Sequence, residues 1–148
     1  MRFLSILSFG LLFSGATFAT ECPNLAGHFA MEVNASDPTP VDLMIEQSGC
    51  EELLAHYESA DGKKFDRPMI VDGKMHPTVV TGAFTVMEAF IWKDGQLAYQ
   101  QEIQAQGRVT QAIGSISIDG DALAEETTYL GSDGQPAYRE RAVFRRKR

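Results

Sequence analysis

The chain is poor in the residues from which reactive centres are usually built. Its 148 residues include two cysteines, three histidines and one tryptophan. There is no Cys-x-x-Cys and no His-x-His, so neither a redox pair nor a closely spaced metal set is present, with only His28, His56 and His76 to assist. The Gly-x-Ser-x-Gly elbow of a serine nucleophile is missing as well. Carboxylates are plentiful, but a glycosidase needs two at a controlled separation, which nothing in their spacing establishes. Asp119-Gly120-Asp121 has the opening of a calcium loop without its later acidic ligand, and reads as a turn. These absences lead us to expect no enzyme activity, no cofactor and no metal site.

Positive charge is scarce too. Lys and Arg total 13 against 20 Asp and Glu, a net charge of −7, which argues against nucleic acid or anionic lipid as a partner. The exception is Arg145-Arg146-Lys147-Arg148, expected to be a frayed, solubilising end. Long apolar runs are missing except for Phe3 to Phe13, which follows Arg2 and leads into Thr17-Phe18-Ala19. That run is too short to span a bilayer and reads as a signal peptide over residues 1–19, cut after Ala19. Cys22 follows Glu21, so it is not placed as a lipoprotein cysteine. The expectation is one domain over residues 20–148, secreted or periplasmic, with no stable membrane insertion. In that oxidising compartment Cys22 and Cys50 should form a disulfide, worth about 3 kcal/mol by loop-closure entropy. Asn34-Ala35-Ser36 fits an N-glycosylation sequon in a polar connection.

What the chain does have is punctuation. Asp-Gly occurs at Asp61-Gly62, Asp72-Gly73, Asp94-Gly95, Asp119-Gly120 and Asp133-Gly134, mostly between strand-like segments. A two-residue type I′ turn needs positive φ at both central positions, which Gly and Asp tolerate, so the chain reads as an antiparallel meander. A turn at Asp94-Gly95 sets Trp92 opposite Leu97, Phe90 opposite Tyr99, Val86 opposite Ile103 and Phe84 opposite Ala105. Apolar meets apolar at each pair. A turn at Asp133-Gly134 sets Tyr129 opposite Tyr138, Thr127 opposite Glu140, Glu125 opposite Ala142 and Leu123 opposite Phe144, with Glu126 facing Arg141 on the other side. A turn at Asp119-Gly120 pairs Ile116 with Leu123. Val109 and Ile113 are out of phase with Ile116 and Ile118, which predicts a β-bulge near Gly114-Ser115. In the first half, Gly27 to Val33 and Val41 to Gln47 alternate acceptably. Cys50 to Glu58 and Lys63 to Val71 form a hairpin of open register, with a helical turn over Glu51 to Tyr57 as the alternative, and Val71 to Pro77 reads as a loop. The fold class is all-β: a single antiparallel up-and-down meander barrel of about eight strands, with a two-sheet sandwich as the alternative.

This pairing puts polar residues where a core should be. Glu88, Gln101, Gln111, Glu125, Thr127 and Glu140 interrupt the apolar face on successive strands, and unpaired carboxylates rarely enter a dry interior because desolvation costs several kcal/mol. Either the belt lines a wet cavity or it sits solvated at one barrel mouth. As a cavity it has walls of Phe84, Phe90, Trp92, Tyr99, Tyr129, Tyr138 and Phe144 under a polar collar suited to a cation, an amine or a hydroxylated molecule.

Leu25-Ala26-Gly27-His28-Phe29 opens the first strand and resembles the Gly-x-Trp signature of lipocalins and the wider calycin group, with Phe29 in place of Trp. The resemblance implies an eight-stranded meander barrel, a small and largely apolar ligand, and an Arg of the last strand, Arg139 or Arg141, covering the first-strand aromatic. Small exported barrels with one disulfide also resemble bacterial metalloprotease inhibitors, which use an N-terminal trunk; here only Thr20 and Glu21 precede Cys22. The expected partner is therefore a small molecule or, as the alternative, an exported protein. The expected ligand-binding residues are Glu88, Gln101, Gln111, Glu125, Thr127, Glu140, Phe90, Trp92, Tyr99, Tyr129 and Tyr138.

Overall fold

A computed structural model describes residues 22–33 and 40–148; the expected signal peptide and the Asn34 sequon lie outside them. Ten strands follow one another: β1 (Gly27–Met31), β2 (Val41–Ser48), β3 (Glu52–Ser59), β4 (Lys64–Ile70), β5 (His76–Val80), β6 (Phe84–Lys93), β7 (Gln96–Ala105), β8 (Arg108–Asp119), β9 (Ala122–Leu130) and β10 (Pro136–Arg146). They form one antiparallel sheet in the order β4-β3-β2-β1-β10-β9-β8-β7-β6-β5. The two end strands, β4 and β5, come to lie beside each other without a backbone ladder between them, so the sheet curls into a nearly closed barrel. This is the expected up-and-down meander with ten strands rather than about eight. Part of the stretch read as a loop is strand, since β5 begins at His76, and the Glu51 to Tyr57 segment is strand rather than helix.

The second-half registers follow turn chemistry. Asp94 and Gly95 have φ of 52° and 73°, and they place Phe90 opposite Tyr99 and Trp92 opposite Leu97. β9 and β10 pair Tyr129 with Tyr138, Thr127 with Glu140 and Glu126 with Arg141, after an irregularity between Pro136 and Tyr138. Two expectations fail here. The β8–β9 turn is Gly120-Asp121 rather than Asp119-Gly120, so Leu123 faces Ile118 and Ile116 faces Glu125. β8 also pairs β7 without interruption from Leu97–Ile116 to Ala105–Arg108, so there is no bulge at Gly114-Ser115. Val109 and Ile113 point outward and are about half exposed, while Thr110, Ala112 and Gly114 take the inner positions. The inner residues are small because Tyr99 lies across this strand: a Cβ on Gly114 would sit 2.3 Å from its ring. The apolar alternation of β8 thus marks the wrong face.

The lower end of the barrel is sealed. Leu25, Phe29, Leu43, Ile45, Leu53, Met69, Phe90, Leu97, Ile116, Leu123 and Phe144 pack there. The Cys22–Cys50 disulfide is formed beside them, and Trp92 Nε1 donates to the Cys50 carbonyl at 2.8 Å. Gln47 bonds the backbone of Leu25, Pro23 and Gly49, fixing the segment before β1 to the β2–β3 turn. The basic C-terminal run is part of this seal rather than a frayed end. Arg145 bridges Glu32 and Asp121, and Lys147 pairs with Asp42 at 2.6 Å. Arg146, and neither Arg139 nor Arg141, covers Phe29: its guanidinium stands 4.8 Å above the ring and donates to the Ala26 carbonyl. The ladder decides this, because Phe29 pairs with Arg146. Gly27 leaves room for it, since a Cβ there would lie 2.2 Å from Arg146 Nη1.

Candidate functional site

Above the sealed end the barrel holds a cavity of about 630 Å³. Its floor is built around Arg67 of β4, a buried cation. Arg67 Nε and Nη2 clasp both oxygens of Glu88 on β6, at 2.9 and 2.7 Å. Nη1 donates to Glu125 of β9 at 2.7 Å and to Tyr57 Oη of β3 at 3.4 Å. The guanidinium packs on the rings of Phe90 and Tyr99, 5.5 and 5.0 Å from their centroids, which lie 5.8 Å from each other and so on one side of it. Four strands therefore converge on one side chain.

The next tier completes the network. Gln101 donates to Glu88 at 2.8 Å. Tyr99 donates to Glu125 at 3.0 Å and accepts from Thr127, 2.6 Å away. Nearer the mouth, Tyr129 donates to Glu140 at 3.2 Å, and Tyr138 stacks on Tyr129 with ring centroids 6.0 Å apart. Tyr57 and Phe65 stack at 4.4 Å on the opposite wall. No buried side-chain polar atom among the described residues lacks a hydrogen-bond partner.

The charges explain one another. Burial pushes the Glu88 carboxyl up, but attraction to Arg67 and hydrogen bonds from Arg67, Thr78 and Gln101 outweigh it and hold the group below the usual carboxylate range. Burial pulls the Arg67 guanidinium down, yet Glu125, Tyr57 and Glu88 outweigh it and hold the group well above its ordinary value. Burial raises Tyr57 to about 12, Arg67 opposing, and raises Tyr99 further, with Glu125 adding to the effect. Both phenols stay neutral at physiological pH.

The polar belt read from the sequence thus lies largely around one cavity. Glu88, Gln101, Glu125, Thr127, Glu140, Tyr99, Tyr129 and Tyr138 all line the cavity. They are graded by depth: Glu88 is buried at the floor, while Glu140 and Tyr138 are exposed at the mouth. Phe90 and Trp92 face inward but lie beneath the cavity, Phe90 under Arg67 and Trp92 against Cys50. Gln111 does not line this cavity. Its β8 position faces outward and is exposed, because the phase slip that would have turned it inward is absent.

Sequence reasoning missed the central residue. Arg67 escaped because the register of β3 and β4 was open, and a signal for it existed in Glu58 and Lys64. These opposite charges pair across the ladder and bridge at 3.2 Å, and they set Arg67 opposite Ala55 and Met69 opposite Leu53 on the inner face.

No protein-family model matches the chain, and no curated protein does. Among solved structures it is similar to fatty-acid-binding protein 1 of Echinococcus granulosus, at 11% identity over 82% of this chain and 96% of that one, with a TM-score of 0.61. It is similar to human cRBP IV, at 17% identity over 84% and 99%, TM-score 0.59. A secretory abundant heat soluble protein of Ramazzottius varieornatus aligns at 11% identity over 83% and 95%, TM-score 0.62. At these identities the likeness is one of fold, and it bears out the lipocalin- and calycin-like barrel.

Proposed function

We propose that the chain is an exported, non-enzymatic barrel that binds a small, mostly apolar ligand carrying a polar or cationic group. The observation that carries this reading is the cavity itself: about 630 Å³, within the range of small-molecule sites, open above and floored by hydrogen-bonding groups already fixed in place. A fold needing only stability would fill this volume with apolar side chains, since a buried ion pair is seldom more stable than a packed core. The neighbours named as fatty-acid-binding and cRBP proteins support a ligand-binding barrel by analogy of fold. The disulfide supports an oxidising compartment.

Titration with the neutral fluorophore N-phenyl-1-naphthylamine tests the reading. The expected result is saturable binding at one site, abolished in Thr127→Trp, where the indole fills the space above Tyr99. Absence of binding, or binding indifferent to that substitution, overturns it. The second reading is a protein-interaction module, supported by the outer face of β6 and β8, where Ile91, Val109 and Ile113 are about half exposed.

A further inference from the structure

The cavity floor carries an imbalance that defines the ligand's head group, given the ligand-binding reading above. Among the described residues Arg67 is the one cation on the floor, and its guanidinium already makes four hydrogen bonds to Glu88, Glu125 and Tyr57. Phe90 and Tyr99 pack together beneath it. An incoming carboxylate or phosphate finds only the second Nη2 hydrogen unspent, and it meets two carboxylates already seated beside it. The acceptors, by contrast, are in surplus. Two carboxylates face one guanidinium, one more formal negative charge than positive.

The surplus is exposed to the cavity at a defined place. Glu88 is 1% exposed and both its oxygens are bonded, whereas the Glu125 side chain is 18% exposed and only its Oε1 is engaged. The second oxygen of Glu125 and the Oε1 of Gln101 make no hydrogen bond among the described residues, and both residues line the cavity. Higher up, Glu140 adds another acceptor above Thr127. Arg139 and Arg141 also reach the cavity margin, but they are exposed on the rim, where water and salt screen them.

We propose that the head group is a protonated amine, seated against Glu125 with Gln101 and Thr127 beside it, its apolar body running up between Tyr57-Phe65 and Tyr129-Tyr138. The site rejects acids of the same shape. Arg67 is a positioning residue in this arrangement: its bond holds Glu125 pointed at the cavity, and four of its five N–H groups are spent on Glu88, Glu125 and Tyr57.

The test uses three probes with one body, decylamine, decanol and decanoic acid, competing with N-phenyl-1-naphthylamine on the mature, disulfide-bonded protein. Decylamine should bind about tenfold or more tighter than decanoic acid, the scale of one charge-assisted hydrogen bond, with decanol between them. Glu125→Gln should bring amine and alcohol within about threefold while leaving the fluorophore bound, because the amide keeps the size and removes the charge. Glu140→Gln, at the exposed mouth and outside the Arg67 network, should reduce the amine preference less; if Glu125→Gln does not fold, the wild-type ranking and this variant decide. Decanoic acid binding as tightly as decylamine, or an amine preference unchanged in Glu125→Gln, overturns the assignment and leaves the ligand-binding reading intact. Failure of the fluorophore to bind overturns both.

Discussion

Arg67 stands between two carboxylates that could not share a barrel interior without it. Replacing it with Met keeps much of the volume and removes the charge, which leaves Glu88 buried and ionised with only Gln101 and Thr78 to support it. Arg67→Met should therefore lose about 3–5 kcal/mol in urea unfolding, the scale for breaking a buried pair from one side. Adding Glu88→Gln should recover a measurable part of that loss. Equal losses in the single and double variants would mean that packing on Phe90 and Tyr99, rather than charge, gives Arg67 its value. The same carboxylate sets a pH dependence. Glu88 is held below its unfolded-state value, so its ionisation contributes stability above about pH 4.3, and this contribution is lost as the pH falls from there through the lower folded-state value. A urea midpoint that drops across that acid window in wild type, and drops less in Glu88→Gln, is the expected outcome.

At the scale of strands, what could be read in advance depended on whether a turn fixed the ladder. Asp94-Gly95 closes a two-residue hairpin, so every pair from Phe84–Ala105 to Trp92–Leu97 follows from counting outward. Asp61-Gly62 sits inside a wider loop between Ser59 and Lys64, so counting from it says nothing about β4, and Arg67 stayed hidden. Gln106-Gly107 makes the same tight turn as Asp94-Gly95, with φ of 51° and 74°, without the Asp that would announce it. β8 misled for a different reason: its inner face is kept small to admit Tyr99, so the larger Val109 and Ile113 draw attention to the outside. Hydrophobicity reports burial only where a strand is free to fill its own space, and β8 cedes that space to β7. Gly114→Ala tests this. A Cβ there would lie 2.3 Å from the Tyr99 ring and 2.5 Å from the Glu126 carbonyl, so the ring must swing off Glu125 and Thr127. The substitution should cost about 1–3 kcal/mol by overpacking, and the cost should shrink in a Tyr99→Leu background, where the ring is gone.

Across the whole molecule, rigidity and access are separated between the two ends. The lower end gathers the disulfide, Trp92, the Arg146–Phe29 stack and the largest apolar cluster; the upper end keeps tyrosines and Glu140 in contact with solvent. Reducing Cys22–Cys50 should lower unfolding stability by about 2–4 kcal/mol while leaving fluorophore affinity nearly unchanged, because the bridge lies at the sealed end. Thiol titration of the denatured, unreduced protein should detect no free thiol.

The barrel wall is continuous in backbone hydrogen bonds except between β4 and β5, where each strand carries one proline, Pro68 and Pro77. The Arg67 ion pair to Glu88 ties β4 to β6 across that seam, and its bond to Glu125 ties β4 to β9. The girth of the barrel is thus set by a tie-rod of side chains rather than by a ladder. A guest too wide for the cavity should part such a wall along this one line, breaking one polar cluster while the nine ladders keep their register.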